Sequence, residues 1–310
     1  MTLPRGVSYT RGVDNPPIQL PLSSPEELSH VEPPSPERPD PDNPPWGIWG
    51  ALLLLLSSFM LMALAQGVLV FPYALRRGVL FKQEALAEFM THDTGAIVLA
   101  LVGLVVAHLL TLVPAWLIVT RVGRYPFLRT LGWEWGGGLT FWRSAGLAVL
   151  LLVAGISIIR LTGAPENEFD RILRSSRAAA LVTAFAATFT APLVEELIFR
   201  GLLYSSLRRL VGAGWAVSLV FVLFAAIHVP QYWPSYGVIG TILLLSFALT
   251  LIRARTGRLL PCFIIHLIFN GIQSVLIVFS PYIERFFPET PAPDPGLLIA
   301  LILRICGAAW

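Results

Sequence analysis

Residues 46–70 read WGIWGALLLLLSSFMLMALAQGVLV, a run without a single charged residue. At 1.5 Å rise per residue, about 20 apolar residues cross the ~30 Å hydrocarbon layer of a bilayer, so this stretch is long enough to span it. Comparable runs follow at about 96–120, 142–162, 178–194, 213–230, 237–253 and 259–280. A shorter one at 296–310 contains Arg304 and reads as an eighth span, an interfacial helix or a re-entrant piece. The pattern predicts an all-α fold, a polytopic transmembrane helical bundle of about seven to eight spans. Aromatic residues near the run ends, among them Trp46, Trp49, Trp142, Tyr232, Trp233, Tyr236 and Tyr282, fit interfacial belts.

Composition agrees. Of 310 residues 55% are hydrophobic and 13% charged, and the mean hydropathy is +0.71. Soluble domains carry nearer 25% charged residues. A net charge of +3 points to nothing beyond an anionic membrane surface, and no basic patch outside short loops suggests nucleic-acid binding. Cys262 and Cys306, the two cysteines, provide neither a disulfide framework nor a structural zinc site. No apolar core follows the first arginines, so the N-terminus does not read as a signal peptide.

Four regions are expected. Residues 1–45 hold 12 of the 25 prolines and scattered acids, the composition of a disordered tail. Residues 46–177 form the N-terminal transmembrane helices, 178–280 a helical core carrying polar residues, and 281–310 a C-terminal hydrophobic segment. Basic residues cluster at Arg208-Arg209 and at Arg253, Arg255 and Arg258, whereas the turn Gln231–Tyr236 has none. The positive-inside bias then places the basic turns, and with seven spans the tail, in the cytoplasm.

Against this background the run 193–200, Leu-Val-Glu-Glu-Leu-Ile-Phe-Arg, stands out. An ionised side chain at bilayer depth costs roughly 2.5–3.5 kcal/mol even on lenient scales, so such residues persist mainly where they are buried in protein and used. Two histidines, His228 and His266, also lie inside apolar runs. If the fourth and fifth spans form a hairpin turning at Val211–Gly214, Glu195 and His228 both lie roughly 22–24 Å from the turn, level with one another. His266 and Asn270 are spaced i, i+4 and share a helical face, as do Phe224 and His228. Adjacent helical residues point about 100° apart, so the two glutamates divide the work. Glu196 faces the same way as Arg200 and neutralises it, while Glu195 is left without a local counter-charge. Pro192 removes a helix donor three residues ahead of Glu195. His108 has no polar companion at helical spacing and reads as a packing or interhelical hydrogen-bond residue rather than a catalyst.

These residues resemble the CPBP family of intramembrane proteases, which includes the Rce1-type CAAX prenyl endopeptidases and the bacteriocin-processing and self-immunity (Abi) proteins. Its Glu-Glu-x-x-x-Arg motif reads here as Glu195, Glu196 and Arg200; Phe-x-x-x-His as Phe224 and His228; His-x-x-x-Asn/Asp as His266 and Asn270. The resemblance covers roughly residues 178–280. It implies that Glu195 and His228 activate a water, that His266 and Asn270 stabilise an oxyanion, and that Glu196 and Arg200, with Phe224, support them. Zinc stays open as a cofactor: Glu195, His228 and His266 would supply three ligands and leave a fourth position to water. No His-Glu-x-x-His motif is present and no acid is visible to orient the ligands, which favours chemistry without obligatory zinc.

The expected function is an integral-membrane endopeptidase of a bacterial cytoplasmic membrane, hydrolysing a membrane-embedded or lipid-tethered peptide. A non-enzymatic alternative is a catalytically silent scaffold or bacteriocin-immunity-type protein that binds a partner. A proton-coupled carrier would predict internal repeats, and none is evident.

Overall fold

The computed structural model describes residues 39–163 and 165–286. The tail to residue 38 and the apolar segment at 296–310 lie outside the described residues. Within them the chain is helical and contains no strand. In order the helices are α1 (Ile48–Arg77), α2 (Gln83–His92), α3 (Thr94–Thr120), α4 (Phe127–Leu131), α5 (Phe141–Thr162), α6 (Glu168–Ser175) and α7 (Arg177–Phe185). Two π-helical segments, Ala186–Thr190 and Glu196–Leu203, flank the short α8 (Ala191–Glu195). Then come α9 (Tyr204–Tyr232), α10 (Tyr236–Thr256) and α11 (Leu260–Phe286).

Among the described residues six helical stretches are long and apolar enough to cross a membrane: Ile48–Arg77, Thr94–Thr120, Phe141–Thr162, Arg177–Tyr232, Tyr236–Thr256 and Leu260–Phe279. The chain is therefore an integral membrane protein. The stretch Arg177–Tyr232 is 56 residues long and contains both the fourth and the fifth apolar runs. It is not one straight rod. Gly212 has φ 80° and ψ 165°, a left-handed-side conformation that side chains with a Cβ avoid. A straight helix would hold Glu195 and His228 about 50 Å apart, yet their side chains approach to 3.8 Å. The chain reverses at Gly212.

The largest core cluster is apolar and centred on the stretch that carries the acids. Val194, Leu197, Ile198, Phe199, Leu202, Leu203 and Tyr204 pack with Ala51 and Leu54 of α1, Ala115 and Val119 of α3, and Phe224 of α9. Close helix approach depends on small residues. A Cβ at Gly103 of α3 would sit 2.7 Å from the backbone of Gln66 in α1, so no larger residue fits that crossing.

Residues 39–46 are tied to the ends of several helices. Arg208 pairs with Asp42, and Arg209 donates to the carbonyls of Pro44 and Trp46. Arg121 donates to Pro45 O at 2.7 Å and the Trp46 indole to Leu202 O at 3.3 Å. The stretch assigned from composition to a tail ending at residue 45 thus includes seven residues, 39–45, within a hydrogen-bonded strap.

Candidate active site

The local fold around Glu195 starts from Pro192. A proline offers no backbone N–H, and the chain ahead of it is wound in the wider π register, with Ala191 N–H on Ala186 O. In that register the missing amide of residue 192 would have bonded Ala187 O. The Asn270 side chain takes its place, donating to Ala187 O at 2.9 Å from α11. The Thr188 hydroxyl donates to that of Ser274, also on α11, at 2.9 Å. On the opposite side His108 of α3 meets the Thr190 hydroxyl at 2.8 Å. π segments are rare and tend to mark functional positions. Here two of them bracket the five residues that end at Glu195.

The two glutamates occupy different surroundings. Glu196 is fully buried, and its Oε1 accepts from Arg200 Nη1 at 3.0 Å and from His266 Nδ1 at 2.8 Å. Arg200 is also fully buried. It donates further to Thr250 Oγ1 at 3.2 Å and to Ser246 O and Oγ at 3.1 and 2.8 Å, and its guanidinium lies 4.4 Å from the Phe224 ring centroid. Two neighbours on α10 thus complete the surroundings of a charge that would be prohibitive if left alone. Arg253, one turn further along the same face of α10, is buried too and donates to Arg200 O at 2.9 Å.

Glu195 is the accessible acid, with 23% of its side chain exposed. Its Oε1 lies 3.8 Å from His228 Nε2 and its Oε2 3.7 Å from His266 Nε2. Both separations exceed a direct hydrogen bond and suit a bridging water or a substrate atom. The tautomers follow from what lies behind each ring. His228 Nδ1 faces Phe224 O at 2.7 Å, and a carbonyl only accepts, so Nδ1 carries the proton. His266 Nδ1 likewise faces the Glu196 carboxylate. Each Nε2 is therefore turned towards Glu195. Phe224 stacks on His228 at 4.7 Å between centroids and meets His266 edge-on at 6.1 Å, holding the two rings apart.

Of the residues singled out in the sequence, Glu195, Glu196, Arg200, Phe224, His228 and His266 converge. Asn270, one turn from His266 on α11, gives one of its two amide N–H groups to Ala187 O at 2.9 Å, in the segment leading to the acid. The sequence reading missed Ser246, Thr250 and Arg253, whose i, i+4, i+7 spacing on one face of α10 was the available signal. It also set aside His108.

A zinc ion would take Glu195, His228 and His266 as its ligands. An orienting acid is present after all, because Glu196 holds His266 Nδ1. Among the described residues, however, no group of three His, Cys, Asp or Glu side chains is placed to hold a metal ion.

No curated protein and no solved structure matches the chain. One family model does, described as type II CAAX prenyl endopeptidase Rce1-like, and it matches residues 177–272. That range contains all three motifs and every residue of the cluster. Residues 177–272, roughly a third of the chain, are thus similar to the Rce1-like family of type II CAAX prenyl endopeptidases.

Proposed function

We propose that the protein is an intramembrane endopeptidase in which Glu195 and His228 activate a water against a peptide carbonyl. The observation that carries this reading is the accessible Glu195 carboxylate, flanked at 3.7 and 3.8 Å by two imidazoles that both present Nε2. In the reaction a water held between Glu195 and His228 loses a proton to this pair and attacks the carbonyl carbon. The carbonyl π bond opens onto oxygen to give a tetrahedral oxyanion. His266 in its imidazolium form, with Nδ1–H held by Glu196, presents Nε2–H to that oxyanion. A donor of this kind in a water-poor site is worth about 2.7–4 kcal/mol of transition-state stabilisation. Collapse of the intermediate breaks the C–N bond, and the abstracted proton passes to the leaving amine. Asn270 contributes by holding Ala187, and so the segment leading to Glu195.

The substrate is proposed to be a membrane-embedded or lipid-tethered peptide. The basic turns and the strap they hold are proposed to face the cytoplasm. The test compares peptide termini in host membranes carrying wild-type protein or an equally abundant Glu195→Ala variant. Termini seen only with wild type support a protease and give its cleavage sites. Identical termini, with any phenotype retained by the variant, point instead to a scaffold that works by binding.

A further inference from the structure

His108 stands apart from the three motifs, in the middle of α3 and 82 positions before its partner Thr190. The Thr190 hydroxyl donates to Ala186 O at 3.4 Å, so its oxygen is the acceptor for His108 Nδ1–H at 2.8 Å. Both ends of this short chain fall on the π-helical segment Ala186–Thr190: one on its last residue, the other on its first carbonyl. Asn270 holds the same segment from α11. A π turn is one residue wider than an α turn, so its winding sets the rotation of everything that follows. Glu195 follows five residues later.

We infer that His108 is a positioning residue for the proposed reaction, acting through Thr190 to fix the rotation of the segment that aims the Glu195 carboxylate between His228 and His266. The inference rests on the protease reading and deepens it. Displacing a catalytic group by about 1 Å can cost on the order of 10²-fold in rate. The 3.7 and 3.8 Å gaps on either side of Glu195 leave little room for such a rotation.

The test uses the full-length protein in membranes and follows the rate at which wild-type-specific peptide termini accumulate at equal protein abundance. His108→Ala and Thr190→Val each remove the bond and should slow accumulation about 10–100-fold, and the double variant should be no slower than either alone. His108→Asn keeps an N–H at the Nδ1 position and Thr190→Ser keeps the hydroxyl. Both should stay within about threefold of wild type, a rescue that loss of bulk alone would not produce. Wild-type rates in His108→Ala, or an Asn variant as slow as the Ala variant, would overturn the inference. If wild type makes no termini beyond those of Glu195→Ala, the protease reading itself falls. The bond is then read by nitrogen-15 NMR of labelled histidine in detergent micelles. Thr190→Val must move the His108 Nδ1 resonance, and an unmoved resonance overturns the contact.

Discussion

Replacing Arg200 by alanine should unfold or deplete the protein more than it should slow any reaction. The side chain is fully buried and makes four hydrogen bonds at 2.8–3.2 Å, to Glu196, Thr250 and Ser246. Without it the Glu196 carboxylate remains in the core with His266 Nδ1–H on one oxygen, while the other already lacks a partner among the described residues. Breaking a buried pair from one side costs about 3–5 kcal/mol, because the remaining charge is uncompensated. At roughly 2–4 °C per kcal/mol for a sizeable domain, the thermal midpoint in micelles should fall by about 6–20 °C. Removing both charges should cost less. In Glu196→Gln with Arg200→Met, the amide oxygen still accepts from His266 and the thioether chain fills the space of the guanidinium stem. This double variant should regain at least about half of the lost stability, since apolar replacement of a whole buried pair is often neutral. A midpoint for Arg200→Ala within about 1 °C of wild type would refute the reasoning. So would a double variant as unstable as the single one.

Three further outcomes are expected. Gly103→Val drives its branched side chain into the Gln66 backbone at the α1–α3 crossing and should destabilise by about 1–3 kcal/mol, read as a lower thermal midpoint. Proteolysis should survive prolonged treatment with a strong zinc chelator if Glu195 and His228 activate the water unaided, as proposed; complete loss restored by added zinc would contradict this. Asp93 caps α3 at the Ala96 amide outside the membrane-spanning stretch. Partial burial pushes its carboxyl up, but the Ala96 amide, Tyr73 hydroxyl and Arg77 guanidinium together hold it below the ordinary value. Its contribution is thus present above the unfolded carboxylate pKa and lost as pH falls through the lowered folded value. Asp93→Ala should cost about 1 kcal/mol at neutral pH and progressively less under acid, followed by thermal melts across pH.

The bundle was legible because bilayer length is written directly into uncharged runs such as 46–70. The reversal at Gly212 was legible because Glu195 and His228 sit at nearly equal distances from a glycine-bearing turn. The Glu196–Arg200 pair needed nothing more than the i, i+4 rule. What could not be read was the helix register ahead of Glu195. An α-helical projection assumes 100° per residue, and the π segments around Ala191–Glu195 break that assumption. Pro192 announced a missing donor, but the group that replaces it, Asn270, lies 83 positions from the carbonyl it serves. The sequence assigned the third motif to the oxyanion, and the bond from one Asn270 amide N–H to Ala187 O was not legible in it. Ser246 and Thr250 escaped notice because hydroxyls in apolar helices commonly bond their own preceding turn, as Thr250 does to Ser246 O at 2.7 Å. Nothing local distinguishes one that also receives a guanidinium.

The most direct measurement is hydrolysis in oxygen-18 water by the purified full-length protein reconstituted in vesicles with host membrane proteins. If Glu195 and His228 activate water, each new C-terminal carboxyl carries one solvent oxygen, and Glu195→Gln lowers its formation by at least about 10²-fold. Equal labelling by wild type and Glu195→Gln, or the absence of any labelled carboxyl, would contradict an active site built on Glu195.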